Sequence, residues 1–176
     1  MKRIAFAVAF AACALGAAAQ QPPAAGQNPR DVVPDKMPFD VPYGAPVSLD
    51  RAQAAINAAV AESKKRGWKM NVAVVDSGAN LVAFARMDGA QLGSIAIAEH
   101  KARAAAKFRR ETKLFESGIQ EGNLHYLLTL DDVIASRGGI LIIDNGQIAG
   151  AVGCSGGTGS QDEVACKAAI EAVTKR

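Results

Sequence analysis

Two histidines, three cysteines and a set of closely spaced basic residues are the groups in this sequence suited to chemistry. His100 lies in IAEHKARAAAKFRRET. Neutral imidazole is the commonest metal-binding side chain, so its functional reading is a metal or haem ligand, against an ordinary solvated or interface histidine. His125-Tyr126 is the second imidazole site, in a segment without clear period; it could ligate iron or simply lie at the surface. With two histidines and no His-Glu-x-x-His-like or paired-cysteine spacing, nothing points to a structural zinc site. The lack of a Cys-x-x-Cys-His run excludes covalently attached c-type haem.

Arg86, Asp88, Lys101, Arg103, Arg109 and Arg110 concentrate charge in the loop Arg86-Met87-Asp88-Gly89 and along the helix after it. Mixed charges at a strand-to-helix corner commonly pair and fix that corner. The same groups suit a carboxylate-bearing ligand, haem propionates included. Backbone amides in Gly156-Gly157-Thr158-Gly159 could cradle an anion at a helix start. Equally, the loop is a plain tight connection with Asp162 complementing the helix dipole. It lacks the lysine of a P-loop and the spacing of a dinucleotide fingerprint. Ser155 has no Gly-x-Ser-x-Gly context and no obvious base, which argues against a serine hydrolase. No constellation assigns a reaction; binding is preferred over catalysis.

The elements that must position these groups follow from periodicity. Ser48 is a good N-cap for a helix from Leu49, with Ala52, Ala55, Ile56, Ala59 and Val60 at amphipathic spacing. Lys64-Lys65-Arg66 suit its C-terminal end and Gly67 stops it. Val72 to Val75 and Leu81 to Ala85 predict a hairpin around Asp76-Ser77-Gly78-Ala79-Asn80. Ser94 can cap a helix from Ile95 to about Arg110, and a short helix or turn follows Thr112. Leu124 to Arg137 is of mixed character. Ile140 to Ile143 and Ile148 to Cys154 predict a second hairpin around Asn145-Gly146, and Ser160 or Gln161 opens a last helix to Val173. The fold class is α/β (α+β): an antiparallel sheet of four to five strands with helices packed on it.

The central helix carries two apolar stripes. Ile95, Ala98, Ala102, Ala105 and Ala106 form one; Ile97, Lys101, Ala104 and Phe108 form the other, with His100 beside it. The first should face the sheet, and the second a ligand or another subunit.

At 176 residues the chain suits one domain. Met1-Lys2-Arg3, an apolar run from Ile4 to Leu15, and Gly16-Ala17-Ala18-Ala19 have the layout of a secretory signal peptide. The expected organisation is a signal peptide at 1–19, an extended tether at 20–47 and a domain at 48–176. The mature protein is expected in the periplasm or outside the cell, without a membrane anchor. Loss of Lys2 and Arg3 takes 20 basic residues to 18 against 17 acidic ones, and the formal +3 to +1. That balance gives no nucleic-acid surface. Cys154 and Cys166 remain, either as a disulfide or as two small buried thiols.

The segments VAVVDSGANLVAFARMDGA, IAEHKARAAAKFRRET, and ASRGGI with GQIAGAVGCSGGTGSQDE resemble the GlcG/HbpS-like haem-binding family, over about Leu49 to Val173. The resemblance implies a profilin-like sheet, homo-oligomers from dimer to octamer, and haem or tetrapyrrole as cofactor, with haem handling or redox sensing as the role. It places Thr112 at the iron, since a threonine after the basic helix has that place in the haem-binding example. Other members use a histidine, which makes His100 the rival. Twelve helical positions separate the two, about 18 Å, so both cannot reach one iron within a subunit. From the residues themselves, Lys101, Arg103 and Arg109 are the expected anion partners, with Arg86 and Asp88 in the nearby loop and Phe108 on the same helix. Cys154 stands where an aliphatic residue is expected. The alternative is a periplasmic enzyme or accessory protein acting on a small organic acid, so the small-molecule ligand is haem or a carboxylate.

Overall fold

The computed structural model describes residues 33–174. The expected signal peptide at 1–19, and the tether as far as residue 32, lie outside the described residues. The chain divides into two units, Met1–Lys36 and Met37–Arg176, and the architecture below belongs to the second.

Helix α1 (Leu49–Lys65) starts where Ser48 Oγ accepts from Arg51 N–H at 3.3 Å. It ends where Gly67 takes φ +72°, a conformation that costs glycine little. Strands β1 (Asn71–Asp76) and β2 (Leu81–Arg86) form the first hairpin. Asp76 Oδ1 organises their turn by accepting from the N–H groups of Gly78 and Asn80 at 2.8 and 2.9 Å. Helix α2 (Gly93–Phe108) follows, then α3 (Lys113–Gln120) and a 3₁₀ turn (His125–Thr129). Strands β3 (Gly139–Asp144) and β4 (Gln147–Ser155) turn through Asn145-Gly146, both at positive φ as a type I′ turn requires. Helix α4 (Gly159–Val173) closes the domain.

The sheet has four strands in the order β2-β1-β4-β3, every neighbouring pair antiparallel. Both faces are covered. Val72 and Val74 of β1 point into a core with α1 and α4, and Ala73 and Val75 point the other way onto α2. β1 is therefore apolar from Val72 to Val75, as a strand buried on both sides must be. The alanine stripe of α2 lets the helix lie close to β4. Residues Pro42 to Val47 are laid along β4. Ile148 N–H donates to Pro42 O, Gly44 N–H to Ile148 O and Val47 N–H to Ala149 O, at 2.8–2.9 Å. The Tyr43 hydroxyl donates to Lys107 O at 2.9 Å, which ties the segment to the end of α2. Among the described residues no helix is long and apolar enough to cross a membrane.

Three expectations need correction. Ser94 does not cap α2: the helix begins at Gly93, and the buried Ser94 hydroxyl instead accepts from Gln91 Nε2 at 2.6 Å. α2 stops at Phe108, because Arg109 takes a left-handed φ of 54° and turns the chain. The second apolar stripe is covered mainly from within the subunit. Ala104 and Phe108 pack under α3 and the 3₁₀ turn against Phe115 and Leu127, with Phe108 edge-on to Phe115 at 5.3 Å. Only Ile97, near the start of that stripe, stays exposed. The segment of mixed character, Leu124 to Arg137, thus has a packing role that no single period could announce.

Cys154 and Cys166 form a disulfide joining β4 to α4, with Cα atoms 5.6 Å apart. An ion-paired cluster locks the entry to β3. Glu116 accepts from Arg137 through its backbone N–H at 2.7 Å and its guanidinium at 2.7–2.8 Å. Burial pushes the Glu116 carboxyl up, but the Arg137 hydrogen bonds and charge outweigh it, so the group titrates below the usual range. A lowered folded-state pKa means stability that is present above the unfolded value and lost as pH falls through the folded one. Glu116→Gln should therefore cost about 1–3 kcal/mol at pH 7. That deficit should shrink once the pH drops below roughly 4, in urea unfolding followed by circular dichroism. A deficit independent of pH would show that charge is not what Glu116 contributes.

Candidate ligand-binding site

The eight residues that the sequence nominates do not share one surface. Arg86 and Asp88 lie at the end of β2, on the α1 side of the sheet. There a cleft of about 490 Å³ is lined by them with Val60, Lys64, Gly67, Trp68, Lys69, Ala85 and Met87. Phe108 and Arg109 lie at the far end of α2, sixteen residues or about 24 Å long. A second cleft of about 490 Å³ there is lined by Met37, Pro38, Phe39, Lys107, Phe108, Arg109, Arg110 and Tyr126. His100 and Arg103 occupy the middle of α2 on the side away from the sheet, and Lys101 and Thr112 are inside.

Thr112 is fully buried. Its Oγ1 accepts from Gly139 N–H at 2.9 Å while its own N–H donates to Gly139 O at 3.0 Å. These two bonds clamp the start of α3 to the start of β3, and no face of the side chain is open in the single chain. Lys101 is 1% exposed. Its ammonium donates to Asp162 Oδ2 at 2.7 Å and to Cys154 O at 3.3 Å. Asp162 Oδ1 accepts from Gly157 N–H at 3.0 Å. Burial raises the Asp162 pKa, and the Lys101 charge and the amide hydrogen bonds hold it back. Lys101 thus bridges the helices on opposite faces of the sheet past the C-terminal end of β4. The same Gly157 contact answers the question of the glycine-rich loop. Its amide points inward to Asp162, and Thr158 and Gln161 form a capping box on α4.

His100 differs from both. Its Nε2 is buried and has no hydrogen-bond partner. An unpaired buried polar atom is costly, and in a native fold it calls for an explanation such as a ligand. Arg103 pairs with Glu99 at 2.9 Å, and Lys107 with Asp132 at 2.5 Å. The Lys107 hydrogen bond is the chief reason that Asp132 titrates low, with burial opposing it and the Lys107 and Arg103 charges adding to it. Arg109 reaches Asp40 at 3.6 Å and Val41 O at 3.5 Å. Arg110, half-buried over the Phe39 ring at 3.5 Å, has no carboxylate within 4 Å among the described residues. Its pKa is lowered, by burial first of all. His125 is exposed on the 3₁₀ turn. Among the described residues no group of three or more His, Cys, Asp or Glu is placed to hold a metal ion.

The family model described as "Haem degrading protein HbpS-like" matches residues 47–171. The chain belongs to the HbpS-like family. Protein GlcG of Escherichia coli strain K12 is 39% identical over 109 residues, 62% of this chain and 81% of GlcG. Among solved structures, Klebsiella pneumoniae ORFY superposes with a TM-score of 0.70 at 28% identity, covering 81% of this chain and 97% of ORFY. The PduOC:heme complex does so with a TM-score of 0.66 at 25% identity, over 73% and 95%. The four-stranded antiparallel sheet with its helices is thus an HbpS-like fold.

Sequence reasoning missed Asp162 as the partner of Lys101, and Trp68, Lys64 and Lys69 beside Arg86. The first had a partial signal. A lysine on an apolar stripe needs a buried acid, and α4 offers two in its first turns, Asp162 and Glu163. The second had none, because α1 packs on β2 only in the tertiary fold and no local pattern announces that contact.

Proposed function

We propose that the protein is an exported, homo-oligomeric haem- or tetrapyrrole-binding protein serving haem handling or redox sensing, with His100 as the iron-proximal residue. The observation that carries this is the orphaned Nε2 of His100 on the outward side of α2, beside the basic residues Arg103 and Lys107. Family membership and the haem complex of a structural neighbour support the ligand class. A bound haem would supply a redox-active iron. The chain's part is to offer an imidazole nitrogen already stripped of water and competing donors, and guanidinium and ammonium groups for the propionates. Thr112, engaged by Gly139, is the weaker candidate within a single subunit. Nε2 is covered in the single chain, so a ligand reaching it displaces that cover. The N-terminal layout supports export to the periplasm or beyond.

Haemin titration of the purified mature protein tests this. The wild type should give a saturable Soret shift. His100→Ala should abolish it while leaving the circular dichroism unchanged, and Thr112→Val should keep it at some cost in thermal stability. No Soret shift in the wild type sinks the haem reading, and loss with Thr112→Val but not His100→Ala reverses the assignment.

A further inference from the structure

We infer that the cleft between the end of α1 and the Arg86–Gly89 loop is a second ligand site, for a small planar molecule carrying an anionic group. It is independent of the haem reading, since it lies on the opposite face of the sheet from α2 and uses none of His100, Arg103 or Arg109. Lys64, Lys69 and Arg86 converge on a volume of about 490 Å³ with one carboxylate, Asp88. Among the described residues none of these four has an ion-pair partner within 4 Å, whereas the adjoining Lys65 and Arg66 are both paired with Glu62. Three cations against one acid leave an uncompensated positive potential that a concave, partly apolar wall strengthens. The wall is apolar because Val60, Trp68, Ala85 and Met87 pack against the main core from this side.

Trp68 is half-buried there, with Arg66 over its indole at 5.1 Å, and it lines the cleft itself. An indole beside a guanidinium and two ammonium groups is chemistry for a flat ring with an acidic substituent. The ring packs on the indole, the anion takes Arg86 as a fork and a lysine as a point charge. Asp88 at the rim disfavours a highly charged anion and accepts from a hydroxyl or amine. Separate solvated lysines would need neither the indole nor the shared concavity.

Trp68 is the sole tryptophan of the chain, so it reports its own site. Fluorescence excited at the red edge of the indole band would be followed while benzoate, phenyl phosphate or neutral benzamide is added to the haem-free mature protein. Benzoate or phenyl phosphate, the two arms separating carboxylate from phosphate, should give a saturable change. Benzamide should bind at least about tenfold more weakly, the loss of one charge-assisted pairing. Arg86→Gln with Lys69→Gln, both exposed positions, should remove the discrimination without altering circular dichroism, and His100→Ala should leave the titration unchanged. Equal binding of benzamide, no saturable change with either anion, or an unaltered titration in the Arg86→Gln, Lys69→Gln variant overturns the proposal. Because His100→Ala separates the sites, a failed haemin titration leaves this one standing, and the reverse.

Discussion

Replacing Lys101 with Met should cost the fold about 3–5 kcal/mol, the loss expected when one member of a buried ion pair is removed and the other stays. Asp162 would keep only its hydrogen bonds from the amides of the glycine-rich loop, and its side chain is 4% exposed, so water cannot replace the ammonium. Removing both charges should be far milder. Lys101→Met with Asp162→Asn retains an acceptor for Gly157 N–H and a similar volume, and should recover most of the lost stability in urea unfolding. The pH dependence has a definite sign. With the ammonium gone, burial is opposed only by the amide hydrogen bonds, and the folded pKa of Asp162, already raised in the wild type, moves further above the unfolded value. Stability tied to such a group is fully present below the unfolded pKa and is lost as pH rises through the folded one. The deficit of Lys101→Met relative to wild type should thus be largest at neutral pH and shrink on acidification toward pH 5. An equal deficit at both pH values, or a double variant no better than the single one, would mean that Lys101 matters for its methylenes and not its charge.

This pair also shows what the sequence could and could not disclose. The strands and helices were legible, because Val72 to Val75, the Asn145-Gly146 turn and the α1 stripe are local signals that tertiary packing reinforces. The alanine face of α2 was legible for the same reason. The site was not. A sequence places Lys101, Arg103 and Arg109 on one helix, but whether each meets solvent depends on what folds over it. Residues 113–135 cover the C-terminal half of the second stripe with Phe115 and Leu127, and their own pattern is too short and mixed to reveal it. Arg86 and Asp88 sit only a few residues before α2 in the chain. They nevertheless point toward α1, because β2 ends on that side of the sheet. Proximity in sequence across a strand-to-helix corner does not tell which face a loop serves.

Gly153→Ala should be the most damaging single-methyl addition in the domain, at about 3 kcal/mol or somewhat more, the upper range for overpacking a close-packed interior. A Cβ built there falls 2.0 Å from Ala98 O and 2.6 Å from Ala102 N. Both are backbone atoms of α2, and no side-chain rotamer change can make room. The helix must lift from β4, which would open the contacts of Ala98, Ala102 and Ala105 with Ala73, Val75 and Ala151. Small side chains on both surfaces are what permit the close approach in the first place, so none of them can follow the helix outward and refill the gap. The lift would also draw Lys101, the residue preceding Ala102, away from Asp162. Gly153→Ala combined with Lys101→Met should then cost less than the sum of the two, because both act on one contact surface. Gly93→Ala is the control: its Cβ meets nothing within 4 Å, and in the first turn of α2 the change should be neutral or stabilising by up to about 1 kcal/mol. Thermal unfolding of Gly153→Ala, Lys101→Met, their double and Gly93→Ala against wild type decides it. A Gly153→Ala protein as stable as Gly93→Ala would mean that α2 and the sheet do not touch through their backbones, and the placement of every side chain on that helix, His100 included, would have to be redrawn.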